Sequence, residues 1–181
     1  MAVKQEDGSV QKAMAAVGSV AFFVVAPGVV AGLIPWWLTG WRVQQPLPYW
    51  APLRVVGTVL IAGGALVLVL AFARFVMEGA GTPAPVSPTQ RLVVGGLYRY
   101  VRNPMYVAVV ATIIGQALAL GQPVLLIYGA AVGAAMGAFA RWYEEPTLRH
   151  QFGAEYDAYQ RAVPGWWPRL RPWEPNEVDR P

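Results

Sequence analysis

Long uncharged stretches, rather than alternating polar and apolar positions, dominate this chain. Lys12 and Arg42 enclose 29 residues without a charged side chain, Arg54 and Arg74 enclose 19, and Asn103 to Ala140 gives 38 more. A bilayer core about 30 Å thick is crossed by roughly 20 helical residues. The pattern therefore predicts four transmembrane helices over about 14–38, 53–75, 105–120 and 123–142. Gly121-Gln122-Pro123 divides the longest stretch into a hairpin. Its two arms are short, as expected of thinned spans or of a tightly packed pair.

Polar punctuation supplies the rest. Pro27-Gly28 predicts a kink in the first helix, and Gly57, Gly63 and Gly64 would let the second approach a neighbour closely. Residues 79–88 are too rich in Gly and Pro for a regular helix. After Pro146, Leu148, Phe152, Tyr156, Tyr159 and Val163 recur at spacings of four and three. That is one apolar face of an amphipathic helix ending before Pro164, lying along the membrane surface or capping the hairpin. The expected fold class is an all-α integral membrane protein with about four transmembrane helices plus a C-terminal amphipathic interfacial helix.

Composition agrees. Only 13% of the 181 residues are charged, against about 25% in soluble domains. Lys4, Lys12, Arg74, Arg91, Arg99, Arg102, Arg141, Arg149, Arg161, Arg169, Arg171 and Arg180 fall on one side of the expected topology, and only Arg42 and Arg54 on the other. This bias predicts that both termini are cytoplasmic. A positive cytoplasmic face accounts for the net charge of +4 without a nucleic-acid partner, and anionic membrane lipids suit it. The first apolar stretch is too long for a signal-peptide core and reads as a retained helix. With no cysteine and one histidine, His150, neither thiolate chemistry nor a metal site is expected.

Candidate chemistry lies where charge brackets the hairpin. Ahead of it stands the polar island Gly96-Leu97-Tyr98-Arg99-Tyr100-Val101-Arg102-Asn103-Pro104-Met105-Tyr106, and behind it Arg141-Trp142-Tyr143-Glu144-Glu145-Pro146. A membrane hairpin returns both clusters to one face. Taken singly, each has a structural explanation. Asn103-Pro104 is a good helix start, and Arg99 and Arg102 suit interfacial anchors. Two adjacent carboxylates at the end of an apolar helix sit badly with its dipole. Glu144 and Glu145 thus call for a partner, either Arg99, Arg102, Arg141 or a ligand.

In order along the chain, Gly96-x-Tyr98-Arg99-x-x-Arg102-Asn103-Pro104-Met105-Tyr106, a hairpin, Glu144-Glu145-x-x-Leu148-x-x-x-Phe152-Gly153-x-x-Tyr156-x-x-Tyr159 and Val163-Pro164 resemble the isoprenylcysteine carboxyl methyltransferase family and its phospholipid-methyltransferase relatives. The resemblance covers about residues 90–170. It implies an S-adenosylmethionine site at the cytosolic ends of the last two helices. Gly96, Leu97, Tyr98, Arg102, Asn103, Pro104 and Tyr106 would line it, and Glu144 and Glu145 would hold the cofactor's ribose hydroxyls or ammonium. Many members carry His where this chain has Asn103, an amide that cannot titrate.

Polar and apolar patterning gives a polar segment 1–12 and two N-terminal transmembrane helices over 13–75, and the resemblance implies a catalytic region within 76–181. The acceptor would be lipophilic, such as an isoprenylcysteine-like carboxylate, entering from the bilayer. Arg99 or Arg102 would orient it, whereas an amine acceptor would need Glu145 as base. Similarity to bacterial-type sequences places the protein in a prokaryotic plasma membrane. Two rival readings are an NADPH-dependent membrane reductase of the sterol-reductase type, which carries a related Arg-His-Pro motif, and a non-catalytic scaffold built on ion pairs among Arg74, Glu78, Arg102 and Glu144.

Overall fold

The computed structural model describes residues 25–79 and 91–174. The polar segment 1–12, the start of the first helix, most of the 79–88 loop and the Glu78 side chain lie outside the described residues. Within them the protein is all-helical. Helix α1 is described over Val25–Thr39, with a widened π turn over Val29–Leu33. Helix α2 spans Ala51–Gly79, α3 Pro104–Leu120, α4 Val124–Phe152 and α5 Ala154–Ala162, and a 3₁₀ turn over Gly96–Arg99 precedes α3.

Among the described residues two helices, not the expected four, are long and apolar enough to cross a membrane: Ala51–Arg74 within α2 and Val124–Phe152. Only 17% of each apolar window is buried, so these helices are not the core of a soluble fold. Val55 and Val59 on α2 and Ile127 on α4 point outward, as lipid-facing residues do. Helix α3 is shorter than expected of a span because Pro104 opens it and left-handed Gly121 closes it after 17 residues, about 25 Å of rise.

The expected end of the fourth helix near residue 142 is also corrected. Pro146 has no N–H to give to the Trp142 carbonyl four residues back. The chain widens into a π turn over Ala140–Glu144 and continues helically to Phe152. Glu144 and Glu145 therefore stand inside a helical run, so the dipole argument for their strangeness does not apply.

Helices α2 and α3 touch backbone to backbone. A methyl group at Gly57 would lie 2.5 Å from the Gly115 carbonyl, and one at Gly64 would lie 2.9 Å from the Ala108 carbonyl. Gly63 meets nothing within 4 Å, so only two of the three expected glycines mediate the approach. At this bundle's far end the last carbonyls of α3 are all taken. Trp50 Nε1 donates to Leu118 O (2.8 Å), Arg54 Nε to Ala119 O (3.1 Å) and Gln44 N to Leu120 O (2.7 Å). These donors satisfy carbonyls that a helix end otherwise leaves unpaired. Arg42 and Arg54 thus share the far end, opposite the island. Helix α1 is held by Gln116 Nε2 donating to Ala31 O and Tyr128 OH to Val30 O, around a core of Val109, Ile113, Ala117 and Leu125.

Replacing Gly115 by Val drives a side chain into Gly57 O, 2.7 Å from the Cβ position. Overpacking of this kind costs about 1–3 kcal/mol. Thermal unfolding in detergent should occur at a clearly lower temperature for Gly115→Val and at an unchanged or higher one for Gly63→Ala. Equal effects of the two would contradict the close approach.

Candidate functional site

The island end is built in two tiers. Behind lies a support: Tyr98 is buried with Ala71 and Val93, while Leu97 and Met105 pack against them. Gly96, at φ +56°, makes the turn that sends the chain back towards α3, and Pro104 is fully buried at the first turn of that helix. Of the residues expected to line a pocket, Tyr98 and Pro104 are buried here, Leu97 is half-buried and Gly96 is exposed at the turn.

In front, Arg102 collects the parts. Its Nε donates to Val163 O (2.9 Å), and its Nη1 donates to Glu145 Oε1 (2.9 Å) and to Tyr156 OH (3.1 Å). Both side chains of the Arg102–Glu145 pair are 14% exposed. Glu145 Oε2 in turn accepts from Arg141 Nη1 (3.2 Å) and Gln160 Nε2 (3.1 Å). Both oxygens of this carboxylate are therefore occupied. Its neighbour differs. Glu144 Oε1 accepts a 2.5 Å bond from Tyr106 OH, and Glu144 Oε2 has no bond among the described residues. Arg102 Nη2 likewise makes none. The ion network expected of a scaffold is also redrawn, since Arg102 pairs with Glu145 rather than Glu144.

The C-terminal layer closes over the island. The expected amphipathic helix is broken at Gly153, where φ is +52°. The break lets the apolar face turn inward: Tyr156, Tyr159 and Val163 are buried, with Leu92, Val94, Leu148 and Phe152 against them. The helix caps the hairpin end instead of lying apart on the membrane. Tyr159 OH donates to Tyr98 O (2.7 Å). Beyond α5 the chain runs along the island, with Arg102 N bonded to Pro164 O, Asn103 N to Gly165 O, Arg169 N to Tyr100 O and Trp173 N to Arg99 O.

Asn103 does not cap α3 through its side chain. Its Nδ2 donates to Gly165 O instead, a second reason for its place in the motif. Arg99 faces the other way, towards Trp173 O and Glu174, apart from the Arg102 cluster. The structure therefore gathers Arg102, Asn103, Tyr106, Glu144 and Glu145. It adds Tyr156, Gln160 and Trp166, whose ring stacks on Tyr106 at 6.3 Å between centroids. In the sequence Tyr156 stands in an apolar stripe and in the family motif, but nothing there marks it as a partner of Arg102.

A family model of phospholipid methyltransferases matches residues 53–155. The chain belongs to the phospholipid methyltransferase family. The match takes in α2, α3 and α4 and reaches the start of α5. The family region thus extends to α2, which bears on α3 through Gly57 and Gly64 and carries no motif recognised in the sequence. A search of curated proteins found no match. Membership makes the protein a membrane methyltransferase in general terms.

Burial pushes the Tyr159 hydroxyl well above the ordinary phenol range, so it stays a neutral donor to Tyr98 O. A raised folded value means that its stabilising contribution is complete below the unfolded value of about 10 and is lost as pH rises beyond it. Thermal stability of the wild type should fall on the alkaline side from about pH 10. Tyr159→Phe should be less stable by about 1–3 kcal/mol at neutral pH and show a shallower alkaline decline. An identical decline in both would remove Tyr159 from the account.

Proposed function

We propose that the protein is an S-adenosylmethionine-dependent methyltransferase that acts on a lipophilic acceptor at the cytosolic membrane surface, with both termini on that side. The observation that carries this reading is the pair of charged atoms left without bonds, Glu144 Oε2 and Arg102 Nη2. They are of opposite sign and belong to side chains joined through the Glu144–Glu145 backbone and the Arg102–Glu145 bridge. An amino acid moiety carries one ammonium and one carboxylate, which such a pair fits.

The cofactor supplies a methyl group already activated on a sulfonium. Little acid–base machinery is then needed, and positioning near 3–3.5 Å contributes several kcal/mol. In this reading Glu144 receives the ammonium or the ribose hydroxyls. Tyr106 orients Glu144, and Arg102 takes the carboxylate while holding Val163 and Glu145 in place. Asn103 joins the floor of the site to Gly165. Glu145 becomes a strut, because both of its oxygens are occupied.

The resemblance points to an isoprenylcysteine-like carboxylate as acceptor, which is already a nucleophile. An amine acceptor is the second reading, and Glu144 rather than Glu145 then has the free oxygen to take its proton. A dinucleotide phosphate fits less well, because the uncommitted Glu144 oxygen would oppose its negative charge.

Transfer of labelled methyl from S-adenosylmethionine into a membrane lipid extract tests the activity, and identifying the product separates carboxylate from amine acceptors. Glu144→Gln should weaken cofactor binding about tenfold or more, since a hydrogen bond to a charged group is worth about 1.5–3 kcal/mol. It should leave thermal stability nearly unchanged. Glu145→Gln should do the reverse and lower the unfolding temperature first. Stabilisation by NADPH and not by S-adenosylmethionine would favour the reductase, and stabilisation by neither would favour the scaffold.

A further inference from the structure

The segment after α5 exposes large apolar side chains where a soluble surface would not. Leu170 is 99% exposed and Trp167 82%. Their backbone is nevertheless tied down. Four backbone hydrogen bonds fasten residues 164–173 along residues 99–103, at the start of α3. The exposure therefore belongs to a fixed surface.

The level of this surface is set by Trp166. Its ring stacks on Tyr106 of α3, and its Cζ2 lies 3.8 Å from where a methyl on Gly137 of α4 would stand. Tyr106 lies in the first turn of α3, and Gly137 lies just before the π turn where the apolar run of α4 ends. Trp167 adjoins Trp166, and Leu170 follows Arg169, whose N–H bonds to Tyr100 O just ahead of α3, so both stand near the level where the apolar helix surfaces give out. Trp142, 79% exposed on α4, marks the same level. Exposed Arg161 precedes the segment, and exposed Arg171 lies next to Leu170 within it. Tryptophan and leucine beside arginine suit the boundary between acyl chains and anionic headgroups.

We propose that Trp167 and Leu170 form a wedge inserted into the bilayer leaflet at the island end. The wedge tethers the segment that covers the candidate site to the membrane surface. The occupant of this apolar surface is lipid, continuous with the lipid around α4. The wedge does not depend on the proposed reaction. It makes the cover of the site a membrane-held part, so that Arg99–Asn103 keep their backbone partners only while the segment is seated.

The absence of cysteine permits a direct test. Leu170→Cys, with Trp167→Cys as an independent second position, is labelled with an environment-sensitive fluorophore. The full chain is then reconstituted in vesicles of phosphatidylcholine and phosphatidylglycerol. Glu155→Cys, at an exposed position of α5, serves as the water-facing reference. Probes at 170 and 167 should emit to the blue of the reference. Nitroxide lipids should quench them several-fold more strongly, and aqueous iodide several-fold less. Iodide quenching equal to that at 155 would overturn the wedge. So would a blue shift that disappears on dilution to one chain per vesicle, because a second copy would then be the cover.

Discussion

The arrangement at the island end depends on one guanidinium. Arg102 reaches the carbonyl of Val163, the carboxylate of Glu145 and the hydroxyl of Tyr156 at once. It thereby joins the start of α3, the late part of α4 and both ends of α5. A planar fork of fixed donors does this, and a lysine ammonium on a flexible stem does not. Because the pair is mostly buried, loss of either partner strands a charge, and such losses cost about 3–5 kcal/mol. The bridge therefore matters less as a source of stability than as a device that gives the C-terminal layer a single position.

That position decides which groups remain for chemistry. Glu145 is consumed by Arg102, Arg141 and Gln160, so the adjacent Glu144 is the carboxylate with an oxygen to spare. The π turn over Ala140–Glu144 contributes by changing the angular step between the apolar part of α4, Val124–Phe139, and the two glutamates. One carboxylate then meets Arg102 while the other meets Tyr106. Widened turns of this kind recur at functional sites, and here Pro146 supplies a local cause.

Much of this was legible in the sequence. Charge-free stretches locate α2 and α3 close to their observed ends, because lipid-facing and packed surfaces alike exclude charge. The two brackets of the hairpin do meet, as a returning chain requires. What composition hides is local backbone chemistry. Pro146 looks like a helix boundary, yet a π turn absorbs it. Gly153 reads as a motif position inside a continuous amphipathic pattern, yet its positive φ breaks the helix and lets Tyr159 reach Tyr98 and Tyr156 reach Arg102. Adjacent glutamates are indistinguishable as letters, and only the partners brought in from residues 102, 106, 141 and 160 tell them apart. Asn103 reads as a cap, whereas its amide is spent on Gly165, a contact 62 residues away.

In the proposed function, Arg102 and Glu145 hold the cover in place while Glu144 faces the ligand. An experimental structure of the full chain with S-adenosylhomocysteine bound tests it most directly. The ligand's ammonium or ribose should lie within hydrogen-bond distance of Glu144, with the Arg102–Glu145 bridge intact. A ligand held by Glu145 with that bridge broken, or one bound away from the island, would contradict it.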